Sequence, residues 1–194
     1  MNAHERPYEG SASEAYSRVT NPERFRPLHR LAIDLVEHLA AEYAVRRSED
    51  FHLLPGMVPF HHARLPVTLS PVLPNAAPIS VAFTPFPSLV VRFGRWIGEP
   101  FPSCACDACA ATADGEGVRL HALVDDVVAG RFREEISIPL FGSARLGWSF
   151  GGIGGTSGRQ SGWRGISRDH ALVLRGQGSG VVHWSPWPGG CREQ

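Results

Sequence analysis

Apolar residues return at every third and fourth position in "NPERFRPLHRLAIDLVEHLAAEYAVRR", where Phe25, Leu28, Ala32, Leu35, Leu39 and Tyr43 fall on one stripe. That spacing predicts a helix with one buried face. Asn21 can cap it and Pro22 suits a first helical position, whereas Pro27 cannot sit deep in an unbroken helix. The expected helix therefore starts or kinks between Arg24 and Pro27 and runs to about Val45. Pro55, Pro59, Pro66, Pro71, Pro74 and Pro78 follow. Prolines that dense forbid helix and favour edge strands and loops. The period then changes to two. "ARLPVTLS" alternates Leu65, Val67 and Leu69, "PISVAFT" alternates Ile79, Val81 and Phe83, and "SLVVRFGRW" alternates Leu89, Val91 and Phe93. The short "PFP" between the last two predicts a hairpin.

A second helical stripe, Leu120, Leu123, Val124, Val127 and Val128, predicts a helix from about Glu116 to Ala129, ended by Gly130. "FREEISIPL" and "ARLGWSFG" read as strands around the turn "FGSA". "SRDHALVLRG" reads as a short helix capped by Ser167 and stopped by Gly176, and "GVVHWS" as a last strand. The predicted order is α-βββ-α-ββ-α-β, with about six strands, two long helices and one short helix. Without a strict βαβ rhythm, the fold class is α+β, an antiparallel or mixed sheet with the long helices on one face. Residues 1–15 are expected to be a flexible tail and residues 16–194 a globular domain.

Composition narrows the function classes. The 194 residues carry 19 basic and 19 acidic side chains, for zero formal charge. That balance gives no electrostatic footprint for nucleic acid or for a polybasic membrane contact. No apolar run approaches the ~20 residues needed to cross a bilayer, and the polar start "MNAHERPYEGSASEAYSR" has no apolar signal region. The expectation is a soluble cytoplasmic protein with reduced thiols, partnered by a protein or small molecule and by neither nucleic acid nor membrane. Every basic residue is arginine, and the chain is lysine-free. P-loop, Schiff-base and kinase-type lysine chemistry is thereby excluded.

The candidate chemistry lies in "FPSCACDACAA", which holds Cys104, Cys106 and Cys109. Cys106-x-x-Cys109 has zinc-knuckle spacing, and Cys104 adds a third thiolate. A closed zinc site needs a fourth donor, for which Cys191, His121, His61 and His62 are the candidates. Three thiolates alone suit a softer ion such as Cu(I). The same residues also read as a redox CxxC, or as small cysteines packed in a tight turn.

Other features are weaker. The glycine-rich stretch 151–165, with Arg159, Arg164 and Arg168 nearby, offers backbone N–H groups to an anion or nucleotide but matches neither GxxxxGK[ST] nor GxGxxG before a helix. A plain loop or flexible hairpin accounts for it better, since glycine first reports backbone freedom. The pairs Asp125-Asp126 and Glu134-Glu135 are adjacent on their elements, so they do not face each other as a catalytic dyad and read as solvated faces. No GxSxG elbow or triad pattern is present. Trp184 and Trp187 in "HWSPWP" are expected to pack over a sheet edge, and Trp96, Trp148 and Trp163 to lie in the core.

Four blocks, "YSRVTNPERFRPLHRLA", "VAFTPFPSLVVRFGRWIGEPFPSCACDAC", "DDVVAGRFRE" and "HWSPWP", together resemble an actinobacterial family of small proteins of unknown function. The likeness spans about residues 16 to 188. The family pattern is Cys-Gly-Cys-Asp-x-Cys followed by acids. Here Ala105 stands at the glycine, and Ala110 and Ala111 stand where acids are common, which argues against a role for acids after Cys109. The resemblance implies a shared fold and no particular activity. The reading that results is a non-enzymatic interaction or accessory module, metal-stapled by zinc at Cys104, Cys106 and Cys109. Its alternatives are a metal- or thiol-dependent enzyme using those cysteines, and an anion or nucleotide binder at 151–165.

Overall fold

The computed structural model describes residues 16, 18–49, 64–151, 161–176 and 180–190. A 3-10 turn, Pro22–Phe25, leads into α1, Pro27–Glu42. The two prolines divide the expected helix into turn and helix, each starting where a missing N–H costs nothing. The predicted stripe is the buried face: Phe25, Leu28, Ala32, Leu35 and Leu39 are in the core, and Tyr43 packs against it.

Five strands follow: β1 (Val45–Ser48), β2 (Arg64–Pro71), β3 (Ile79–Phe83), β4 (Leu89–Phe93) and β5 (Ile97–Phe101). They form an antiparallel meander in sequence order. Phe83 pairs with Leu89 across the predicted "PFP" hairpin. Then come α2 (Ala113–Val128), β6 (Phe132–Ser137), β7 (Ala144–Phe150), β8 (Ser161–Ile166), α3 (Arg168–Arg175) and β9 (Val181–His183). The second sheet, also antiparallel, has the order β8-β7-β6-β9.

The fold class is the expected mixed α+β, but the described residues hold nine strands in two sheets rather than about six in one. β1, β5 and β8 are the additions. The long helices accordingly do not share one face of a single sheet. α1 packs on α2 and on β1 and β2, while α2 reaches β7. Both sheets and all three helices contribute to one apolar cluster. Helix α2 starts at Ala113, a turn earlier than expected, because Thr112 Oγ1 accepts from Gly115 N at 3.1 Å. Ser167 caps α3 as predicted, through the His170 N–H.

Two features join the halves. The segment 184–190 is a strap. Ser185 N donates to Asn75 O, Trp184 N to Phe132 O, Trp187 N to Val128 O, and Gly190 N to Glu42 O. Trp187 Nε1 reaches Ala77 O at 2.8 Å. Both tryptophans are buried. Gly130 must be glycine where the strap crosses it. Its φ is +69°, and a Cβ there would lie 2.5 Å from Pro186 N.

The second feature is Glu134 on β6. Its side chain is 0% exposed, which corrects the reading of Glu134-Glu135 as a solvated pair. One carboxylate oxygen accepts from Arg95 N at 2.8 Å and Trp184 Nε1 at 3.1 Å, and the other accepts from Trp96 N at 2.9 Å. Arg95 and Trp96 lie between β4 and β5 in the first sheet, so this carboxyl bridges the two sheets. Gly94, with φ +61°, brings the turn so close that a Cβ would lie 2.6 Å from the Glu134 carboxylate. Asp126 is a parallel correction: it is buried against Arg131 at 2.8 Å, while Asp125 stays exposed.

Candidate metal centre

The cysteines lie in the loop 102–112 between β5 and α2. Ser103 fixes its start: its N–H and hydroxyl donate to Glu116 Oε1 at 3.3 and 3.1 Å. Glu116 is buried in the first turn of α2 and also pairs with Arg119 at 2.9 Å. Arg119 in turn lies 3.9 Å from the centroid of the Phe101 ring. Thr112 closes the loop as the cap of α2.

Within the loop, Cys109 N donates to Cys106 O at 3.2 Å, which closes a tight turn over the CxxC. That turn and the flanking bonds bring the sulfurs of Cys104, Cys106 and Cys109 within 4.8 Å of one another. Cys104 Sγ lies 3.3 Å from Cys106 Sγ. Cys106 is buried, Cys109 half-buried and Cys104 exposed. One edge of the cluster thus faces solvent.

Two of the thiols are shifted in opposite directions. Hydrogen bonds from Cys104 and then Cys109 lower the Cys106 pKa below its ordinary value. Cys109 is pushed up to about 12, first by its hydrogen bond with Cys104, then by that with Cys106, by burial and by the neighbouring negative charge. The cluster therefore gives up one proton readily and holds another. A metal ion binding these sulfurs would displace their protons.

The loop is also held from outside. Arg24 Nη2 donates to Ala105 O at 2.8 Å and Cys106 O at 3.1 Å. Asp107 N donates to Arg18 O at 2.9 Å. Asp107 Oδ1 accepts from Thr20 N at 3.0 Å and Thr20 Oγ1 at 3.2 Å, and lies 3.5 Å from Arg24 Nη1. The Thr20 backbone N–H, with its hydroxyl and Arg24, holds the Asp107 carboxyl below the usual range despite some desolvation. Spacing alone does not reveal Arg18, Thr20 and Arg24, which are remote in sequence. The available signal was the acid inside CxCDxC.

Of the four candidate fourth ligands only His121 is among the described residues, and it does not join this cluster. His121 instead lines a groove between α1 and α2 with His38 and Asp34. Cys191, His61 and His62 lie outside the described residues. The redox reading wants a cysteine at a helix N-terminus. Helix α2 begins after Thr112, so Cys106 and Cys109 both precede its cap. In the glycine-rich stretch, residues 152–160 lie outside the described residues, and Ser161–Ile166 is β8. Two of the arginines expected there are engaged: Arg164 stacks over Trp148, and Arg168 Nη1 donates to Pro139 O at 2.8 Å. Among the described residues no helix is long and apolar enough to cross a membrane.

The sequence profile of DUF6226, a family of unknown function, matches residues 2–190, and the chain belongs to that family. No curated protein and no solved structure matches the chain.

Proposed function

We propose that this DUF6226 protein is a non-catalytic accessory module of the cell interior whose cysteine loop binds one thiophilic metal ion, zinc foremost. The observation that carries the reading is the convergence of three sulfurs within 4.8 Å. A tetrahedral zinc–thiolate site has Zn–S near 2.3 Å, which places its sulfurs roughly 3.8 Å apart. The contraction or expansion needed here is under about an ångström for pairs at those limits. The ion also offsets the repulsion that ionised thiolates at this spacing would exert on one another. Bound there, it fixes the loop between β5 and α2.

The exposed edge at Cys104 leaves room for a fourth donor: a water, a partner's side chain, or Cys191. An open position of that kind favours the second reading, a metal- or thiol-dependent enzyme using Cys104, Cys106 and Cys109. Native mass spectrometry with elemental analysis and thiol counting tests the proposal. One zinc per chain, with three thiols protected until a chelator is added, is the expected result. Freely reactive thiols and no bound ion after zinc supplementation would overturn it. Turnover that depends on the metal, with little change in stability, would move the assignment to the enzyme.

A further inference from the structure

Three oxygen donors around Cys106 are already engaged, and a segment far away in sequence engages them. Asp107 is the one carboxylate between the cysteines, and both Thr20 donors and Arg24 face its Oδ1. The carbonyls of Ala105 and Cys106, the peptide oxygens on either side of Cys106, accept from Arg24 Nη2. These contacts span 81 to 87 positions of sequence. With Asp107 Oδ1 and these two carbonyls so occupied, the donors that the cluster turns toward one another are its sulfurs. Hard cations prefer oxygen, and thiolates select zinc and softer ions.

We infer that Thr20, Arg24 and Asp107 are positioning and specificity residues of the metal site, and that metal loading locks segment 18–24 onto the cysteine loop. The inference rests on the metal reading above. Arg24 sets the orientation of the two peptide groups on either side of Cys106. The Asp107 amide, bound to Arg18 O, fixes the peptide that follows Cys106. A loop held in this way loses less freedom when the ion arrives, which raises affinity without adding a ligand. Coupling is reciprocal, so an ion that orders the loop must tighten the segment's grip by the same factor.

The test uses full-length protein, cobalt(II) as a spectroscopic probe, and zinc competition against a chromophoric chelator. Wild type is expected to show thiolate-to-cobalt charge transfer and tetrahedral ligand-field bands. Arg24→Ala and Thr20→Val are expected to lose ~10–100-fold in affinity, the range for outer-shell partners of a metal site. Their ligand-field bands should weaken and shift. Arg24→Lys, which keeps a donor for one carbonyl, should recover part of the loss. Zinc should also slow hydrogen exchange at the Thr20 and Asp107 amides of wild type. If Arg24→Ala does not fold, Thr20→Val carries the test, since it removes only a hydroxyl.

Wild-type affinity and spectra in these variants would overturn the inference, even if the metal-free variants melted lower. That outcome would make the contacts structural and leave the metal reading intact. Unchanged exchange at both amides on zinc addition would overturn the locking. A wild type that binds neither cobalt nor zinc would remove the metal reading, and this inference with it.

Discussion

Two places in this molecule gather polar groups from distant parts of the chain: the joint at Glu134 and the loop at Cys104–Cys109. At the joint, one buried carboxyl meets three N–H donors from two other regions, and the site is closed to solvent. At the loop, three sulfurs converge on one another, with one edge open. The joint supplies complementary partners, acceptor to donors. The loop supplies three ligands of the same kind, which repel once ionised. A cluster of complementary groups completes itself and holds structure, while a cluster of like groups calls for an added species. That contrast separates a structural polar site from a candidate binding site without reference to any known relative.

The largest effect should follow from breaking the joint. Glu134→Ala strands the N–H groups of Arg95, Trp96 and Trp184 in the interior. Removing one partner from a buried network of this kind costs about 3–5 kcal/mol. Urea denaturation at pH 7 should show that loss, with metal stoichiometry unchanged in whatever fraction remains folded. A loss under about 1 kcal/mol would mean that water or a rearranged side chain replaces the carboxyl.

The joint should also respond to pH. Burial raises the Glu134 pKa from 4.5 to about 7, against the lowering effect of Arg95 N–H, Trp96 N–H, the Trp184 indole and the Arg95 charge. A raised folded pKa means that the folded state holds the proton longer than the unfolded chain. The associated stability is full below pH 4.5 and is lost as the pH rises to 7. It amounts to on the order of 3 kcal/mol. Glu134→Gln should remove this slope from the stability–pH curve, and an unchanged slope would place its origin elsewhere.

At the loop the corresponding experiment adds a species rather than removing one. Zinc at 100 times its dissociation constant should stabilise the fold by about 2.7 kcal/mol. Cys106→Ser should abolish that gain while costing little in the metal-free protein. A Tm shift that survives the substitution would put the zinc elsewhere.

The sequence pattern carried the helices well because their stripes are long and apolar. It carried the strands only where alternation is strong. β1, with the exposed Arg46 and Arg47 at its centre, has no apolar alternation to read. β5 contains Pro100, which is tolerated because β5 is an edge strand. β8 is rich in glycine and reads as loop. Alternation also assigns faces without assigning partners, so the division into two sheets was not legible. Glu134 shows the opposite case: Phe132, Glu134 and Ile136 alternate onto one buried face, so period two already placed this carboxyl inside. Adjacent charges suggested a solvated pair, and the strand geometry decides otherwise. The convergence of the cysteines followed from their spacing. The grip of Thr20 and Arg24 did not, because it closes over more than 80 residues.

The smallest effect sharpens the comparison within one pair of like residues. Asp125 and Asp126 are neighbours on α2, and successive residues on a helix point about 100° apart. Asp125 faces solvent, whereas Asp126 faces Arg131, which donates through Nε at 2.9 Å and lies 2.8 Å away through Nη2. The pair also helps turn the chain into β6, since Arg131 N donates to Asp126 O. Asp126→Asn keeps the shape but removes the charge from a two-point contact, at a cost of about 1–2 kcal/mol. Asp125→Asn should stay within about 0.5 kcal/mol of wild type. Thermal unfolding of the two variants side by side checks both values. Equal losses would show that general charge balance along α2, rather than the Arg131 contact, sets the effect. A loss at Asp126 alone would confirm that burial opposite a partner is what separates two residues identical in type and adjacent in sequence.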